Sequence, residues 1–164
     1  MFEKIKRVGL AQSIDDLFGN QFSYYKFLYH KSINKPYFGA YLASTQGKSV
    51  RHFYMQELVK KYFNGKEINI LEIGSWAGGS VLTWCEAIDD AKANGRVFCI
   101  DPWVDYLGDN SMWVHKTMKK AVKKNRIFKL FWHNILSSGH SDKVSILRGS
   151  TEDMHKFLAK NSFD

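Results

Sequence analysis

The chain has 164 residues, 45% hydrophobic and 24% charged, with a formal net charge of +8. That length and balance describe one globular domain with a real core and exclude a disordered or low-complexity segment. No apolar run is long enough to cross a bilayer and no signal-type stretch opens the chain. The two cysteines, Cys85 and Cys99, lack metal-type spacing, so a reduced, cytoplasmic protein without membrane contact is expected.

Residues 1–49 read as a helical, aromatic extension. Ser13 is a helix cap with Asp15 and Asp16 in the first turn, Phe22, Tyr24, Tyr25, Phe27 and Tyr29 form an aromatic cluster, and Pro36 closes the segment. A short element or loop leads to a helix in which Val50, Phe53, Tyr54, Glu57, Leu58 and Lys61 recur at helical spacing, with Gly65 past its end. From there the pattern alternates. Strands are expected at 68–74, 96–101 and 143–149. Helices are expected from Gly79 to Ala93, closed by Gly95, then as one helix or a pair over 112–136, and after Ser150. Strands alternating with helices predict an α/β domain built on a parallel sheet with right-handed crossovers. The predicted division is 1–49 as extension and 50–164 as the α/β domain.

The first strand runs into "EIGSWAGGS". In an open parallel sheet, ligands sit outside the carboxyl ends of the strands, where this loop must lie. Gly74 allows a sharp turn, and Gly78 and Gly79 allow close approach and start a helix whose free N–H groups face the site. Asp101 closes the second strand, 22 residues after Gly79, where a carboxylate can accept hydrogen bonds from a ribose diol. Loop and acid together suggest a nucleoside-bearing cofactor. The dinucleotide fingerprint fits poorly, because Trp76 occupies the position where bare backbone must meet a pyrophosphate, and no Gly-Lys-Ser/Thr of a P-loop follows. What remains is acid-x-Gly-x-x-x-Gly, Glu72, Gly74 and Gly78, a spacing suited to a cofactor with an amino-acid tail and a ribose but no phosphate. The plainer reading stays beside it: these glycines also serve strand–helix packing, and an Asp before Pro also caps a turn.

"ILEIGSWAGGS" resembles the first motif of the class I S-adenosylmethionine-dependent methyltransferases, and "VFCIDPW" is similar to their second. "FKLFWHNILSSGHSDKVSILRGSTEDMHKFL" resembles the third part of a subset that includes catechol O-methyltransferase-like and antibiotic- or sugar-modifying enzymes. There an aromatic-x-x-Asn helix precedes a strand and a turn near the adenine. The resemblance covers roughly residues 50–164 and implies a Rossmann-like fold with S-adenosyl-L-methionine as cofactor. By that resemblance Glu72 faces the methionine amino group. Gly74, Ser75, Trp76, Ala77 and Gly78 wrap the methionine and ribose, with Ser80 near the carboxylate. Asp101 holds the ribose hydroxyls, Trp103 lies against the adenine, and Gly149, Ser150 and Thr151 lie at its edge. Position 150 is commonly an acid in the family and is serine here.

The resemblance implies methyl transfer to an oxygen or nitrogen of a small molecule. No catalytic base is identifiable, and His30, His52, His115, His133, His140 and His155 show no metal spacing. The alternatives are an NAD-dependent oxidoreductase or epimerase and a non-catalytic cofactor-binding fragment. Seven basic residues and no acid lie between Lys116 and Lys129. A solvated helix face is the default for them, and a nucleic-acid acceptor is a minor alternative, because Phe128, Phe131 and Trp132 read as core-facing. The family sheet has seven strands, and three are legible here. The chain therefore reads as a fragment ending before strand four, with an exposed edge on the first strand through which a homo-oligomer could form.

Overall fold

The computed structural model describes residues 21–44, 47–104, 116–160 and 162–164. The expected cap at Ser13 and most of the loop after Trp103 lie outside the described residues. Helix α1 spans Gln21–Ser32. A short 3-10 turn, Tyr41–Ala43, leads to α2, Ser49–Phe63. The α/β alternation follows: β1 Glu67–Ile73, α3 Gly79–Asp90, β2 Asn94–Asp101. Helices α4 (Lys116–Val122) and α5 (Arg126–Ser138) flank a 3-10 turn, then come β3 (Val144–Arg148) and α6 (Thr151–Met154).

The three strands are parallel, in the order β1-β2-β3. Register places Ile70 beside Val97 and Val97 beside Val144, so Ile68, Ile70, Val97, Cys99, Val144 and Ile146 share one face. Both crossovers progress in the same direction, and right-handed connections then put both helices on that face. The core bears this out: Val81, Cys85 and Ile88 of α3 and Ile127, Leu130, Phe131 and Ile135 of α5 pack with those strand residues. Tyr37 and Leu42, from the segment after α1, belong to the same core. On the opposite face Phe163 meets Phe98 edge-on at 5.1 Å. Among the described residues strand β1 is an edge of the sheet. Asp164 pairs with it at one residue, donating its N–H to the Asn69 carbonyl while its carboxylate accepts the Asn69 N–H.

Several sequence readings change. Helix α2 forms where expected, and the side it turns inward is not the apolar stripe. Met55 and Val59 are buried, whereas Val50, Phe53, Tyr54, Leu58 and Tyr62 are exposed. The apolar stripe is real, and no described element covers it. Gly95 does not close α3, which ends at Asp90 with Ala91 as cap. It lies inside β2, where an added Cβ would strike the Ile68 backbone, so Gly95 lets β1 and β2 approach. The basic segment is a helix pair broken at Lys124 and Asn125, both with positive φ. The lysine stripe is therefore not one continuous face. Trp132 faces outward at 41% exposure, while Phe131 is buried.

Candidate functional site

At the C-terminal end of β1 the chain leaves the sheet through Gly74, whose N–H still donates to Ile100 of β2 at 2.9 Å. Gly74 has φ +81° and Gly78 has φ +84°, both left-handed conformations that favour glycine. The two differ in their surroundings. Nothing lies within 4 Å of where a Cβ on Gly74 would be, whereas one on Gly78 would sit 3.1 Å from the buried Phe131 ring. Gly78 serves the packing of the loop on α5, and Gly74 opens toward free space. Between them Trp76 holds φ +46°, a costly conformation for a bulky residue and of the kind that persists where neighbours enforce it.

Those neighbours are Asp101, Trp103 and Ala43. Asp101, at the end of β2 and 7% exposed, accepts the Trp76 N–H on Oδ2 at 2.9 Å and the Trp103 N–H on Oδ1 at 2.7 Å. The Trp103 indole N–H donates to the Trp76 carbonyl at 2.7 Å, and the Trp76 indole N–H reaches the Ala43 carbonyl at 2.9 Å. One carboxylate thus ties the glycine loop to the turn after β2. Each of its oxygens keeps a second lone pair, so a diol can still be accepted. Trp103 itself is 1% exposed, walled by Phe128 and Phe131 at 4.9 and 4.7 Å between ring centres. Its ring belongs to the core and supports the loop from beneath.

Glu72 points under the loop toward α3, where Ser80 donates to its Oε1 at 2.9 Å. Burial raises its carboxyl above the ordinary 4.5, and the Ser80 and Ser75 hydroxyls and Arg51 only partly offset this. The Ser75 hydroxyl lies near that carboxyl, yet no partner meets hydrogen-bond geometry and it is buried unsatisfied. A desolvated acid, next to a buried hydroxyl without a partner among the described residues, suits a ligand bearing an ammonium and hydrogen-bonding groups. Ala77 is buried at 1% and contributes through its backbone.

Gly149 follows β3 and donates its N–H to the Asp101 carbonyl at 3.3 Å, so it joins the same end of the sheet. Ser150 caps α6, accepting the Asp153 N–H at 3.2 Å, and Thr151 is exposed at the helix start. Arg148 lies over the Phe128 ring at 4.5 Å and donates to Asn125 at 2.7 Å, closing the cluster around Trp103.

Asn134, Tyr37 and Ala43 are absent from the sequence-derived site, yet they hold the loop in place. Asn134 had a signal: on α5 it takes a core position in the run Ile127, Leu130, Phe131, Ile135. Tyr37 and Ala43 show none, because they meet Asn134 and Trp76 through their backbones. Among the described residues no group of three His, Cys, Asp or Glu side chains converges on a metal position, and no helix is long and apolar enough to cross a membrane.

Residues 71–164 match a family described as a methyltransferase domain. The chain belongs to that family. No curated protein matches the sequence. Among solved structures, the SAH-bound methyltransferase PaMTH1 of Podospora anserina aligns at TM-score 0.49 and 16% identity, over 85% of this chain and 54% of its own. Cofactor-bound Rv0187 from MTB aligns at TM-score 0.51 and 16% identity, over 96% of this chain and 57% of its own. At such identity the second likeness is one of fold, and it agrees with the Rossmann-like sheet of the methyltransferase domain. The chain spans a little over half the length of each, 54% and 57%.

Proposed function

We propose that this methyltransferase domain binds S-adenosyl-L-methionine at the C-terminal end of its sheet and serves transfer of the sulfonium methyl group to an oxygen or nitrogen of a small molecule. In the reaction class, the acceptor lone pair forms the new bond to carbon, the sulfur–carbon electrons return to sulfur, and the acceptor loses a proton. The domain's part is to bind and orient, since the cofactor supplies the reactive group. The observation that carries the reading is Asp101: a buried carboxylate at the end of β2, bonded to the backbone of the glycine loop and keeping lone pairs for a ribose diol. In this reading Glu72 and Ser75 receive the amino-acid tail, Gly74 to Gly78 and Ser80 frame it, and Gly149 to Thr151 border the nucleoside end, while the buried Trp103 ring, expected from sequence against the adenine, supports the loop from beneath. Of the N-terminal extension, the segment 37–43 meets the loop, through the Trp76 indole on the Ala43 carbonyl.

The dinucleotide alternative is not favoured. The Trp76 indole, tied to Ala43, occupies the position where a pyrophosphate needs bare backbone. Two further expectations accompany the proposal. The free, buried thiols of Cys85 and Cys99 suit a cytoplasmic setting, and the open edge of β1 suits pairing with a second copy, which light scattering would reveal. The test of the main reading is calorimetric titration with S-adenosylhomocysteine, with NAD as control. Saturable binding of the former alone, weakened by Glu72→Gln, is expected. Preference for NAD, or binding of neither by folded protein, would sink it.

A further inference from the structure

Asn134 is fully buried, at 0% exposure, in the middle of α5. Its carboxamide meets three backbone groups from two distant segments. Oδ1 accepts the Tyr37 N–H at 2.8 Å, and Nδ2 donates to the Tyr37 carbonyl at 3.1 Å and to the Ala77 carbonyl at 2.9 Å. Both donors and one acceptor site are used, close to the capacity of the group. By bonding both the N–H and the C=O of Tyr37, the side chain pairs with that residue much as a neighbouring strand would.

The cost of this arrangement argues that it has a purpose. The position lies in phase with Ile127, Leu130, Phe131 and Ile135, all buried. A leucine there would fill the core without desolvating an amide. A buried amide is tolerated when every partner is in place, and such a group then specifies one arrangement of the segments it joins. The joined segments are the piece after α1 and the glycine loop. They meet a second time where the Trp76 indole donates to the Ala43 carbonyl, and Tyr37 Oη accepts the Tyr41 N–H at 3.3 Å, linking the two attachments. Loop residue Trp76 in turn donates to Asp101.

We propose that Asn134 is a positioning residue: its carboxamide staples the 37–43 segment and the glycine loop to α5, and so sets the loop that carries Ser75 and bonds to Asp101 beside the ligand. Its influence on affinity rests on the proposed cofactor reading. Its influence on the two segments does not.

The test uses the whole chain and two variants, Asn134→Asp, which keeps the acceptor and loses both donors, and Asn134→Ala, which leaves room for water. Hydrogen exchange is read first, without ligand. The protected amides of Tyr37, Tyr41, Ala43, Trp76 and Gly78 are expected to exchange at least about tenfold faster, while Val97 to Ile100 in β2 stay unchanged. S-adenosylhomocysteine is then titrated below the melting temperature of each variant, and affinity is expected to fall about tenfold. Unchanged exchange in both segments, or faster exchange spread evenly through β2, would overturn the proposal. Localised faster exchange with unchanged affinity would also overturn the part that concerns the loop. If the parent chain binds no S-adenosylhomocysteine, the cofactor reading fails and the exchange result still decides the staple.

Discussion

Replacing Asp101 tests the site and the fold at once, because this carboxylate holds two backbone amides. Asp101→Ala leaves the buried Trp103 N–H and the partly buried Trp76 N–H without their charged acceptor. A hydrogen bond to a charged group contributes about 1.5–3 kcal/mol. Taking the lower part of that range for the more accessible Trp76 bond and the upper part for Trp103 gives a loss of about 4 kcal/mol. For a chain of this size that corresponds to a fall in melting temperature of about 8–16 °C. Asp101→Asn keeps one acceptor oxygen and turns an NH₂ toward the other amide, so about half that fall is expected. The assay is thermal unfolding followed by circular dichroism, with S-adenosylhomocysteine titrated well below each melting point. An Asp101→Ala chain melting within about 2 °C of the parent would refute the bridging role, since even 1 kcal/mol moves a domain of this size by about that much. The same experiment guards against misreading lost binding in this variant as a lost ribose contact alone.

The two motif glycines should separate. Gly78→Ala is expected to cost about 1–2 kcal/mol for the left-handed backbone plus a clash with Phe131, seen as a clear drop in denaturant midpoint. Gly74→Ala carries only the backbone cost, and its methyl projects into open space, so titration should show affinity falling more than stability. For Glu72 the folded carboxyl is raised by burial, so the native chain holds its proton more tightly than the unfolded one. Stability therefore falls as pH rises from the ordinary carboxylate range through the raised folded value, and stays lower above it. Glu72→Gln removes that slope and should melt no lower than the parent at neutral pH while binding S-adenosylhomocysteine less well. Parallel melting curves against pH for the two chains would contradict this. Cys85, its thiol pushed up to about 12 by burial, should resist alkylation in the native chain and react once denatured. Rapid native labelling would show that α3 opens.

Local chemistry made the α/β order legible. Continuous apolar runs such as "ILEI" and "VFCI" lack helical spacing, and the Gly-rich turn between strand and helix is a strong punctuator. The motif acids Glu72 and Asp101 stand out in the sequence because a carboxylate at the carboxyl end of a strand lies where an open parallel sheet receives its ligand. Periodicity leaves the inward face of α2 open. A stripe of Val50, Phe53, Tyr54 and Leu58 says that a face is apolar, and cannot say whether a neighbour is there to cover it. Gly95 reads as a helix stop because a glycine after a helix and a glycine where two paired strands approach closely look the same in one dimension.

By itself, the sequence determined the parallel α/β plan, the placement of the glycine loop at a strand end, and the pairing of that loop with an acid one strand away. These follow from the periods and turn preferences of short segments. Only the tertiary structure decided that Asp101 spends its carboxylate on two tryptophan amides, that Gly78 belongs to packing, and that Asn134 reads the backbone of Tyr37 and Ala77. Apart from the Asp101–Trp103 turn, those contacts join residues 25 to 97 positions apart, and several end on backbone groups. Every residue carries nearly the same backbone, so no residue type announces such a contact before the chain has folded.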